Sequence, residues 1–144
     1  MHKQDTCQLL QECSSGIKMA VDAIREVLPN VKNEELKNKL TACEKEHKKL
    51  GEETHSLLIE NNARDEEPGM MAKGMSWIKT NLTMSVNPGD DTIANLISTG
   101  CDMGVRTLQK YLNECQNASA QAKALAKKVI KLEEDLSVDM RAYL

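Results

Sequence analysis

From Leu36 to Leu57, the residues Leu36, Leu40, Cys43, His47, Leu50, Thr54 and Leu57 recur at steps of 4, 3, 4, 3, 4 and 3. That spacing describes a long helix burying one side against other helices, because about 3.6 residues per turn gather such positions into a single stripe. Four segments in all carry a helical period, this one being the second in the chain. The first runs from about Asp5 to Leu28 and stops at Pro29-Asn30, with Leu10, Cys13, Ile17, Ala20, Val21, Ile24, Val27 and Leu28 on one face. The second begins near Asn33, a suitable cap followed by Glu34 and Glu35, and ends near Asn61. A third spans about Asp91 to Cys115, with Asp90 or Asp91 as its cap and Ile97, Cys101, Gly104, Val105, Leu108, Tyr111 and Leu112 together. The last spans about Ser119 to Leu144 and buries Leu125, Val129, Leu132, Leu136, Met140 and Tyr143.

Composition points the same way. Aromatic residues make up 2% of the 144-residue chain, and there is no Phe, which removes both the usual strand formers and the stacking platforms of RNA binders. With only three Pro and seven Gly, a many-turned sandwich is excluded. A net charge of −3 offers no basic excess to neutralise a phosphate backbone, so nucleic acid is not an expected partner. No stretch approaches the roughly 18 apolar residues of a membrane span. The five Cys lack any Cys-x-x-Cys pair, which fits a reducing cytoplasm better than a disulfide framework.

The two halves match. Gly16-Ile17-Lys18-Met19-Ala20-Val21 aligns with Gly100-Cys101-Asp102-Met103-Gly104-Val105 at an offset of 84. With five more residues in the second turn, Leu36, Leu40, Cys43, Glu44 and His47 meet Leu125, Val129, Leu132, Glu133 and Leu136. A single domain over residues 1–144 is expected, made of a hairpin at 5–62, a crossover at 63–90 and a second hairpin at 91–144. So long a connection exceeds the 2–8 residues usual between bundle helices. It holds a Met-rich amphipathic piece from Met70 to about Met84, with the only Trp, Trp77. The second and third long helices are therefore expected to run parallel.

A duplicated hairpin with a long crossover resembles the ferritin-like fold, an all-α four-helix bundle. The paired Gly-x-x-Met-(Ala/Gly)-Val motifs, Pro68-Gly69-Met70-Met71-Ala72-Lys73-Gly74-Met75-Ser76-Trp77 and the terminal Tyr143-Leu144 are similar to small ferritin-like bundle proteins of anaerobic Gram-positive bacteria. The resemblance covers nearly the whole chain and implies no activity. In di-iron members of that fold, two helices each supply a Glu and two supply Glu-x-x-His. Only Glu44-x-x-His47 matches; Leu136 stands where the second His is needed, and Glu12, Asp22, Glu26, Asp102 and Glu114 point away from the core stripes. The di-iron site is read as not retained.

The same residues bear on two other chemistries. Cys13, Cys43 and Cys101 with His47 form a tetrahedral donor set that suits zinc, against the simpler reading of small apolar fillers around a hydrogen-bonded core His. Cys43 with His47 at i, i+4 and Glu44 as orienting acid is the sole nucleophile arrangement, without a substrate cleft. His2 and His55 read as surface residues, and Glu133-Glu134-Asp135 as a solvated face. Met19 and Met103 lie about 180° from their core stripes at 100° per residue, with Gly16 and Gly100 beside them. That pattern marks a second packing face, covered by the crossover on one side and by a second copy on the other. The expected function is non-catalytic association through this face as a homodimer, with no cofactor; the alternative is a zinc- or iron-binding or redox protein built around Glu44, His47 and the inward cysteines.

Overall fold

The computed structural model describes residues 2–64, 81–82 and 88–144. Among these there are four long helices and no strand: α1 His2–Val27, α2 Glu34–Glu60, α3 Asp90–Glu114 and α4 Ala120–Met140. Short 3-10 turns, Leu28–Asn30 and Arg141–Tyr143, follow α1 and α4. Pro29 is tolerated there because the first turn of a helix leaves its N–H without a partner anyway.

The caps explain where the helices begin. Asn33 accepts from the Leu36 backbone N–H at 3.0 Å, and Ser119 accepts from that of Ala122 at 3.1 Å. Asp90 does something other than the expected capping of its own helix. Its two carboxylate oxygens accept from the backbone N–H groups of Lys32 and Asn33 at 2.9 and 3.0 Å, so α3 supplies a carboxylate to the entrance of α2. Gly89, with extended backbone, occupies the cap of α3 and makes no side-chain hydrogen bond.

These contacts fix the topology. The start of α3 sits beside the turn between α1 and α2. At the other end, Asn117 and Ser119 donate to Asp5 and Thr6, and Arg64 accepts from Gln11. Hence α2 and α3 run in the same direction, and Asn61 and Gly89 lie at opposite ends of the bundle, separated by a helix length of about 40 Å at 1.5 Å per residue. The helices form a ring in the order α1, α2, α4, α3, each antiparallel to its neighbours. The expected Met-rich helix from Met70 lies outside the described residues except for Asn81 and Leu82, both helical, with Leu82 buried in the core.

Two apolar clusters fill the bundle. One, toward the N-terminal end of α1, gathers Leu9, Leu10, Cys13, Ile17, Leu58, Leu108, Cys115, Leu125 and Val129; the other gathers Ile24, Val27, Leu36, Leu40, Cys43, Ile93, Ile97, Cys101, Leu136 and Met140. The seam of α2 drifts within this core. Leu36, Leu40, Cys43, His47 and Thr54 are buried as expected, but Leu58 rather than Leu57 closes the stripe. A straight helix lags a strict seven-residue repeat by about 20° per heptad, so after three heptads the next residue faces inward. In the turn after α4, Tyr143 is only half-buried, and its hydroxyl donates to Glu35 at 2.8 Å.

Candidate functional site

Between the two apolar clusters lies one polar layer. His47, fully buried on α2, faces Glu133 on α4, which is 5% exposed, with Nε2 3.1 Å from Glu133 Oε1. Glu133 is the correction to the solvated face expected at 133–135. It follows Ile130 by three residues and precedes Leu136 by three, so it shares their inward face, while Glu134 and Asp135 stay exposed.

The surroundings of His47 favour the doubly protonated ring. Nδ1 lies 2.9 Å from the Cys43 carbonyl, which only accepts and so favours a proton on Nδ1, while a proton between Nε2 and Glu133 Oε1 completes the pair. In that form the ring is an imidazolium beside a carboxylate, and the net charge of the pair is zero. Burial by itself would lower the His47 pKa, but the hydrogen bonds to Cys43 and Glu133 and the charge of Glu133 outweigh it and raise the value to about 10.

Two thiols flank the layer. Cys43 Sγ stands 3.4 Å from His47 Nδ1, giving the ring a second partner on that side. The Cys101 thiol bonds to the Glu133 carboxylate; burial first, then the charge and hydrogen bond of Glu133, push its pKa far up. Such a thiol is a hydrogen-bond donor and not a nucleophile at neutral pH.

The other expected site residues lie elsewhere. Glu44 turns toward Arg25 of α1, whose Nε lies 3.0 Å from Oε1, and the Nζ of Lys48, one turn further along α2, lies 3.1 Å from the same oxygen. What burial it has works in the opposite direction, but these two cations hold its carboxyl below the usual range. It is thus no partner of His47, either as metal ligand or as orienting acid; Glu133 takes that place. Cys13 belongs to the other cluster, with Cys115, and burial, Glu12 and Cys115 push its pKa up to about 12. The tetrahedral set of Cys13, Cys43, Cys101 and His47 is not assembled. Among the described residues no three His, Cys, Asp or Glu side chains converge as metal ligands: Cys43 lies on the Nδ1 side of the ring and Glu133 on the Nε2 side, so the imidazole separates the donors.

The layer reaches a surface pocket. Gly16, Met19, Ala20, Ala23 and Ile24 of α1 face Leu96, Ile97, Gly100, Cys101, Met103 and Gly104 of α3 across a cavity of about 70 Å³, with Glu133 and Leu136 of α4 behind it. All four residues singled out as a second packing face therefore line one concavity, and Met103 is half-exposed at its rim. A Cβ on Gly100 would meet nothing within 4 Å, and one on Gly104 would lie 3.5 Å from Glu133 Oε2. The glycines keep the floor open.

Among the described residues no helix is long and apolar enough to cross a membrane. Comparison with protein-family models, with curated proteins and with solved structures finds no match.

Proposed function

We propose that this chain is a cytoplasmic, bacterial, ferritin-like bundle of two repeated hairpins that acts without catalysis, by associating through the α1/α3 face as a homodimer. One observation carries the reading: Gly16 and Met19 on one helix and Gly100 and Met103 on its antiparallel neighbour line the same apolar concavity. Glycines permit close approach and methionines fill irregular gaps, and an isologous contact across such a face is self-complementary. The antiparallel order of neighbouring helices, with α2 parallel to α3, suits the ferritin-like assignment.

Light scattering coupled to size exclusion tests it. Wild-type protein at micromolar concentration should run near twice 16.0 kDa, and Met103→Glu, altering a half-exposed side chain, should run as a monomer. A wild-type monomer, or a Met103→Glu dimer, would overturn the reading.

A metal-binding or redox role is the second reading: Cys43, His47, Glu133 and Cys101 share one layer, although as placed they do not converge on a common point. Elemental analysis of protein purified without chelator separates it: about one zinc or iron per chain supports a metal role, and below about 0.1 rejects it.

A further inference from the structure

The pocket between α1 and α3 has apolar walls and a carboxylate for a floor. Among its described lining residues Glu133 is the only carboxylate, and α1 contributes no titratable group. His47 is the sole nitrogen donor to Glu133 among the described residues, and it takes Oε1; Oε2 is the oxygen nearest the gap that Gly104 leaves open. A buried acceptor beneath an apolar sleeve selects for a ligand with a donor head and a short aliphatic tail. At about 70 Å³ the cavity is about half of the ~150 Å³ void that admits the six carbons of benzene, room for about three heavy atoms, with the end of a short chain reaching the open rim.

The surroundings of the carboxylate permit an exchange of charge. Cys43 gives His47 Nδ1 a partner in either protonation state. In the imidazolium, Nδ1–H donates to the Cys43 carbonyl; in the neutral ring, the Cys43 S–H donates to Nδ1 while Nε2–H keeps its bond to Glu133. The imidazole can therefore release one proton without leaving Glu133, whose negative charge is then free to meet a cation. The remaining groups near it are the Cys101 thiol and, on the exposed side of that thiol, Asp102.

We propose that this pocket binds a short primary alkylammonium ion, its head at Glu133 Oε2 and its chain between Met19 and Met103, in exchange for the proton on His47. The balance is one ammonium in and one proton out to solvent, with no covalent change. The site is complete within one chain, and because Met19 and Met103 also line the face proposed for self-association, the ligand and a second copy compete for it, so ligand affinity should fall as protein concentration rises.

Titration calorimetry with n-propylammonium, and with propan-1-ol as the neutral isostere, tests the proposal on the full chain. Across pH 7 to 9 the ligand stays charged and His47 is protonated in the free protein, so affinity should rise about tenfold per pH unit. Buffers of differing ionisation enthalpy should report about one proton released per ligand. Gly104→Ala places a methyl at ordinary contact distance over Oε2 and favours the helix, so it should fold and lose binding. Glu133→Gln should lose both binding and pH dependence. Propan-1-ol binding as tightly as propylammonium, binding without proton release, full affinity in Gly104→Ala, or no heat with propylammonium at millimolar concentration would each overturn the assignment.

Discussion

Removing either member of the His47–Glu133 pair should cost far more than removing both. His47 is fully buried and Glu133 nearly so, and their side chains meet at 3.1 Å, so each single replacement leaves its partner unpaired in the bundle interior. Breaking a buried pair in this way costs about 3–5 kcal/mol. The His47 pKa, raised to about 10 by Cys43 as well as by Glu133, agrees in sign. Leucine at both positions replaces the pair with side chains of similar volume, and such swaps are neutral or stabilising by about 1–4 kcal/mol. The expected cycle is thus a loss of about 3–5 kcal/mol for His47→Leu and for Glu133→Leu, and about none for the double variant. Urea unfolding followed by far-ultraviolet circular dichroism measures all four proteins. The sign of the pH dependence follows from the raised value: the stabilisation is complete below pH 6.5, declines above it, and is lost as pH rises through about 10. Wild-type stability should fall from about pH 7 to 8.5, a range below that in which the buried Cys13 and Cys101 thiols begin to weaken either protein, and the double variant should not share that fall. If the double variant loses the sum of the singles, or if the wild type gains stability over that range, the pairing argument is wrong.

Asp90→Ala removes two hydrogen bonds to the entrance of α2 and should cost about 1–2 kcal/mol in the same urea assay; Asp90→Asn, which keeps one acceptor oxygen, should lose less. Asn33→Ala deletes the cap of α2, with an expected loss of about 1 kcal/mol. Cys13, Cys43, Cys101 and Cys115 are buried and Cys7 is half-buried, so iodoacetamide at pH 8 should add at most one group to the folded protein and alkylate all five thiols in urea, read by intact mass.

How much of this was legible follows from the kind of signal each residue carries. The stripes of α1 and α2, the stop at Pro29-Asn30 and the cap at Asn33 are local patterns, and the structure follows them. Leu58 displaced Leu57 because the seam was read with a period of 3.5 where a straight helix turns at 3.6. Asp90 looked like the cap of its own helix; that it serves α2 instead depends on which helix ends meet in space. Glu133 was hidden by company: between Glu134-Asp135 and the lysines before it, a carboxylate reads as solvent-facing. The available clue was its place three residues from both Ile130 and Leu136. Glu44 misled in the opposite sense, since Glu-x-x-His places both residues near one face but Arg25 on the adjacent helix draws the carboxylate outward.

The separation of 86 residues between His47 and Glu133 also sets an order of events during synthesis. At about 5–20 residues per second, the first hairpin emerges roughly 4–17 s before the last helix can reach it. Throughout that interval the imidazole has its neighbouring carbonyl and no carboxylate, and it titrates as an ordinary histidine. Arrival of α4 both covers the exposed leucines of the nascent chain and fixes a proton at mid-bundle, so docking of this helix and closure of the interior become a single step.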